Sequence, residues 1–175
     1  ARAVVEEKNP ELDEALKQAV AEAVGIGAIK YPMLARENAK IVTFDWETAL
    51  DFNGQASPYI QYAHVRANSI LRKAGGELLD SQPVTYELTP EEKELIDLIT
   101  RLPNEVQRAA KELKPLYIAN IAYDLAKSFT DFYYACPVLQ AEEPVRNFRL
   151  RLVMATRQAI KNSLALLGIT APEAM

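Results

Sequence analysis

One cysteine and one histidine in 175 residues leave little room for several kinds of chemistry. Cys136 has no partner for an internal disulfide and no companions for a multi-thiolate metal site, and His64 alone argues against a histidine-rich metal centre. Six glycines are present, and none falls in a G-x-G-x-x-G or G-x-x-x-x-G-K-[ST] pattern; Gly25-Ile26-Gly27 is too short for a phosphate cradle. No G-x-S-x-G elbow or cysteine-rich signature pairs a nucleophile with a base. Glu91-Glu92 and Glu142-Glu143 sit at predicted helix starts, where they favour the helix dipole rather than acid–base work. No run approaches the roughly 20 apolar residues of a membrane span, and "ARAVVEEKNPELDE" is too acidic for a signal or transit peptide. A soluble, cytosolic chain with no membrane partner is expected. Positive charge is scarce as well: 20 Lys plus Arg stand against 24 Asp plus Glu, so only a local basic face could favour nucleic acid.

What the chain does have is an apolar share of 49%, enough for a sizeable core. Apolar residues recur every three or four positions and strand-like alternation is nearly absent, so an all-α bundle of about five or six helices is expected. Asn9-Pro10 predicts a helix start with an inner stripe of Leu12, Leu16, Ala19, Val20 and Ala23, closed at Pro32. "KIVTF", residues 40–44, is the best strand candidate, and Asp45 follows as cap of a brief helix, "WETALDF". After a loop over 53–56, Ser57 as cap and Pro58 in the first turn open a helix to Lys73, stopped by Gly75-Gly76. "LLDSQPVTYEL" reads as a connector, and Thr89 and Glu92 have capping-box spacing. The helix they start should end at Leu102 before Pro103, with another from Asn104 to near Lys114. Pro115 opens a longer helix that ends at Cys136-Pro137, and the last runs from near Pro144 to Leu167, with Gly168 as its stop.

Three places invite a functional reading. At about 100° per residue, Arg146, Arg149, Arg157 and Lys161 of the last helix fall within an arc of roughly 120°, opposite Phe148, Leu152, Ala155, Ala159 and Leu166. Such a face either meets phosphates or is an ordinary solvated face with salt bridges. In "DFYYACP", Phe129 and Phe132 suit the core, whereas Tyr133 either stacks on an unpaired base or packs on the loop. On the helix from Pro58, Tyr59, Gln61, Tyr62, His64 and Arg66 form two polar ridges; a histidine in that company more plausibly fixes geometry between packed layers than acts as a base.

"VGIGAIKYPML", "FDWETALDFNGQASPYIQYAHVRANSILRKAG", "FTDFYYACPVL" and "RLVMATRQAIKNSLALLGITAPEAM" together resemble the C-terminal part of arginyl-tRNA synthetase, a class I aminoacyl-tRNA synthetase, across nearly the whole chain. The resemblance implies that residues 1–56 are the last segment of a catalytic domain, a small helical and short-strand remnant. Residues 57–175 would then be an all-helical DALR anticodon-binding domain. It implies docking on the anticodon stem and loop of arginine tRNA, with Tyr133 and Met175 near the splayed bases. Arg146, Arg149, Arg157 and Lys161 are the phosphate-facing candidates from the helical wheel. Tyr59, Gln61, Tyr62, His64 and Arg66 would position a helix between the two modules. The family's HIGH-type and KMSKS-type motifs are absent, so the chain is expected to be a catalytically inactive fragment that holds no cofactor and binds tRNA weakly. Its parent would use ATP and Mg²⁺ to charge arginine tRNA, acting as a monomer. A helical protein-interaction module without RNA binding is the alternative, because amphipathic helices of mixed charge serve either purpose.

Overall fold

In the computed structural model, residues 2–8, 13–75 and 83–175 are described. They form α1 (Arg2–Lys8), α2 (Glu14–Leu34), α3 (Trp46–Ala49), α4 (Ser57–Lys73), α5 (Pro90–Glu112), α6 (Leu116–Ala135) and α7 (Val145–Leu166). The expected all-α class holds. Helices α4, α6 and α7 pack on one another, α5 lies across α6 and α7, and α2 lies along α4, with α1 outside it. Ile60, Leu125, Phe129, Phe132, Leu150 and Ile160 are sealed in the main core, so Phe129 and Phe132 take the inward places their spacing predicts. Val5, Val20 and Val24 form a smaller cluster with Met175. Tyr31 reaches from α2 into the bundle, its hydroxyl donating to the Ala119 carbonyl (3.2 Å).

Local chemistry explains most boundaries. Thr89 Oγ1 accepts from the Glu92 backbone (3.2 Å) while the Glu92 carboxylate accepts from the Thr89 backbone (2.8 Å), the expected reciprocal cap. Asp45 caps α3 through the Thr48 N–H (2.8 Å). Gly168, at φ 65°, ends α7 in the left-handed region, where lack of a Cβ removes the strain.

Several expectations fail. No strand occurs among the described residues: Lys40 lies in a bend, its N–H donating to the Glu37 carbonyl (2.9 Å), and Ile41 is 93% exposed, so the segment has no neighbouring strand to take its N–H and C=O groups. Pro103 does not end α5: the stripe Leu95, Leu98, Leu102 and Ala109 continues in register against the bundle, and its burial outweighs the one backbone bond proline removes. Pro32 likewise lies inside α2, which ends at Leu34. The cap of α4 is Ala56, not Ser57, whose hydroxyl is instead buried one position into the helix. The cap of α2 is Asp13; Asn9, Pro10 and Leu12 lie outside the described residues, as do Gly76 and residues 78–82 of the connector, and Ala19 is exposed rather than part of the inner stripe.

The α2–α4 approach depends on a missing side chain. A Cβ on Gly27 would lie 2.4 Å from the Ser57 hydroxyl and 3.2 Å from Ile169 Cγ2. Alanine improves helix propensity by up to about 1 kcal/mol, but overpacking costs about 1–3 kcal/mol, so Gly27→Ala should be net destabilising in urea unfolding. Combined with Ser57→Ala, which removes the nearest obstruction, its cost should fall by at least half; equal costs in both backgrounds would disprove the steric account.

Candidate nucleic-acid interface

Helix α4 carries two faces with different tasks. Residues 57, 61, 64 and 68 recur at four- and three-residue spacing and so form one stripe. Gln61 Nε2 donates to the carbonyls of Ala23 (3.1 Å) and Thr170 (2.8 Å), and His64 donates through Nδ1 to the Pro172 carbonyl (2.9 Å). Asn68 Nδ2 bonds Glu173, which also pairs with Lys161 (3.0 Å). This stripe therefore fastens both α2 and the C-terminal tail. Of the five residues expected to position one module on another, Gln61 and His64 lie at that seam.

Tyr59, Tyr62 and Arg66 turn the other way, a correction to their expected placement. The Tyr59 hydroxyl meets Thr130 (3.3 Å) and its ring packs on Tyr123, both in α6. The Arg66 guanidinium lies 4.9 Å from the Tyr62 ring centroid, 4.7 Å from Tyr133 and 5.7 Å from Tyr134. Tyr133 and Tyr134 stand edge to face at 5.4 Å. Tyr62 is 40% exposed, Tyr133 41% and Tyr134 74%, so the rings form an open surface around one cation. Beside them lies a groove of about 510 Å³, walled by Arg66, Ser69 and Lys73 of α4, the two tyrosines of α6, and residues 137–140. Tyr134 and the role of Arg66 were missed in the sequence; the four-residue spacing of Tyr62 and Arg66 was the available signal, but their meeting with Tyr133 is tertiary.

The basic face of α7 breaks up. Because α7 packs against α4, α5 and α6, its buried arc is wide and sweeps past Arg149, while Ala155 and Leu166, assigned to the core side, are exposed. Arg149 is only 11% exposed, its Nε donating to Glu92 Oε1 (2.7 Å) and its Nη1 to the Pro137 carbonyl (2.8 Å). Burial pushes the Glu92 carboxyl up, but bonds from Arg149, the Thr89 backbone and Tyr86 outweigh it and hold it below the ordinary value. Arg157 Nη1 donates to Asn68 (3.0 Å), Lys161 is half-exposed beside Glu173, and Arg146 lies 3.5 Å from exposed Glu143. Met175, expected near a base, is instead 9% exposed in the smaller cluster, where an apolar side chain gains more from burial than from solvent. Among the described residues no group of three or more His, Cys, Asp or Glu side chains could hold a metal ion, and no helix is long and apolar enough to cross a membrane.

Comparison with known proteins identifies the family of this helical bundle. The family profile described as DALR anticodon binding domain matches residues 60–175, and the chain belongs to that family. Over its whole length it is 47% identical to arginine–tRNA ligase of Thermococcus sibiricus, covering 28% of that protein, and 43% identical to that of Chloroflexus aurantiacus, covering 31%. The solved structure of Thermus thermophilus arginyl-tRNA synthetase matches 99% of this chain with a TM-score of 0.92 at 41% identity, over 30% of that chain. The chain thus spans less than a third of these relatives.

The tail seam should respond to pH. Burial lowers the pKa of His64, against the opposing bond to Pro172. The folded chain then binds the proton less readily than the unfolded chain, so this stabilisation is complete above the ordinary value of about 6.5 and is lost as pH falls below it. Glu92, also held low, contributes loss only below about 4.5, its ordinary value. The thermal midpoint should fall between about pH 7.5 and pH 5, and His64→Gln should remove most of that fall. An unchanged fall in the variant would assign the effect elsewhere.

Proposed function

We propose that this chain reads the anticodon stem and loop of arginine tRNA, as the anticodon-binding part of an arginine–tRNA ligase. One arrangement carries the reading: Tyr62, Tyr133 and Tyr134 open to solvent around Arg66, at the rim of a groove. Unpaired loop bases stack on aromatic faces and on guanidinium planes, and an exposed ring pair is the surface such bases require. Lys73 at the groove, with Arg146, Arg157 and Lys161 on α7, are the residues available to phosphates; Arg149 is not among them, being committed to Glu92 and Pro137.

The relatives' names support a wider role in joining arginine to its tRNA. The parent would join arginine to its tRNA in the cytoplasm as a monomer, with ATP and Mg²⁺ handled outside these residues, which contribute tRNA binding and no bond-making step. Ile26, Ile29 and Met33 form an exposed apolar stripe along α2, and this side is the one suited to pack on the catalytic domain of the same chain.

Fluorescence titration with an anticodon hairpin of arginine tRNA tests the reading. Tyr133→Ala should weaken binding by about tenfold, the worth of one stacked base, and should narrow the preference over an unrelated hairpin. Arg157→Glu should weaken both hairpins alike, and affinity should fall steeply with salt. Equal affinity for both hairpins in the unmodified chain, or salt-independent binding, would instead favour a protein-interaction module.

A further inference from the structure

The groove beside the tyrosines has one wall of helix and one of loop. Its helical side is α4 and α6; the other side is residues 137–140, which follow the end of α6 at Cys136 and of which Val138 is buried in the main core. That wall is gripped from behind at the Pro137 carbonyl by Arg149 Nη1 (2.8 Å). The same guanidinium is held by Glu92 (2.7 Å), a carboxylate with no exposed surface whose oxygens also accept from the Tyr86 hydroxyl (2.8 Å) and the Thr89 backbone (2.8 Å). Thr89 Oγ1 in turn lies 3.3 Å from Cys136 Sγ, at the root of the same wall.

A buried ion pair is a weak source of stability, since its desolvation offsets most of its attraction and an apolar pair of similar size serves as well. What an apolar pair lacks is a directional grip on a main-chain carbonyl. The planar guanidinium has donors on two edges, so one edge is fixed by the carboxylate while the other fixes the loop. We propose that Arg149 and Glu92 are positioning residues of the base-binding groove, holding residues 137–140 at the spacing from Tyr133 and Arg66 that an inserted base needs. This rests on the reading of that groove as a site for unpaired bases.

Arg149→Lys separates positioning from stability, because an ammonium keeps the charge beside Glu92 but lacks the second edge that reaches Pro137. In the full 175-residue chain, below its unfolding midpoint, Arg149→Lys should bind the anticodon hairpin about five- to twentyfold more weakly, a loss comparable to one stacked base. Glu92→Gln, which preserves shape but not charge, should lose about three- to tenfold. Because the two residues act through the groove, Arg149→Lys should cost little further once Tyr133→Ala has removed the stacking ring, whereas a general loosening of the fold would add in full. Binding of Arg149→Lys within twofold of the unmodified chain, or full additivity with Tyr133→Ala, overturns the proposal. If Arg149→Lys does not fold, Glu92→Gln carries the same two outcomes. Failure of the unmodified chain to bind the hairpin, or indifference to Tyr133→Ala, would instead overturn the reading of the groove itself.

Discussion

A single amide nitrogen, Nε2 of Gln61, donates both of its hydrogens to backbone carbonyls, one in α2 and one in the C-terminal tail. Both bonds are internal to a residue with no exposed surface, so losing either would leave a buried polar atom at a cost of about 1–3 kcal/mol. The consequence is rotational. A helix packed only by apolar contacts has several nearly equivalent settings about its axis, but one tied by directional bonds has one. With its inner stripe fixed by Gln61, His64 and Asn68, α4 presents Tyr62 and Arg66 on the opposite face toward the end of α6, and the tyrosine surface exists because that setting is unique.

The manner in which Arg66 is held bears on how an acidic chain could meet RNA. With a net charge of −4, the average field repels phosphate. Arg149 faces the buried Glu92 carboxylate, which offsets its charge at a distance. Tyrosine faces attract a guanidinium through their quadrupole and orient it, yet leave its full positive charge in place. Arg66 is therefore both fixed in position and electrostatically undiminished. A stacked base placed on Tyr133 would find that charge alongside it, and the two attractions would act on the same nucleotide.

Secondary structure was legible where local chemistry decides it. The Thr89–Glu92 box, the Asp45 cap, Cys136-Pro137 as a terminus and Gly168 as a stop all depend on a few consecutive residues, and all appear in the fold. Pro103 and Pro32 misled because packing along a whole helix outweighs one lost backbone bond, a balance that no window of ten residues contains. The α7 wheel misled for a related reason. A wheel supposes one buried side, and a helix surrounded by three others has a wider one, so the arc that gathers Arg149 with Arg157 straddles the boundary of the core. Tyr133 was identified by exclusion, since three adjacent aromatics cannot all point inward. The meeting of Arg66 with Tyr133 and Tyr134 could not be, because those rings lie nearly seventy positions away and only the four-residue spacing to Tyr62 was visible.

The seam between α2 and α4 adds directional polar contacts to its apolar ones, and this has a mechanical meaning. Helix α2, with its outward residues Ile26, Ile29 and Met33, packs on one face of α4, and the tyrosine groove lies at another. Between them run the Gln61 and His64 bonds and the tight Gly27–Ser57 approach, where neither sliding nor rotation is possible without breaking a directional contact or forcing atoms below their normal separation. An apolar seam of the same area would hold the layers together with comparable strength but less definite register. Register is what directional contacts secure, and the polar side chains on α4 fix it with hydrogen bonds where apolar ones would supply only adhesion.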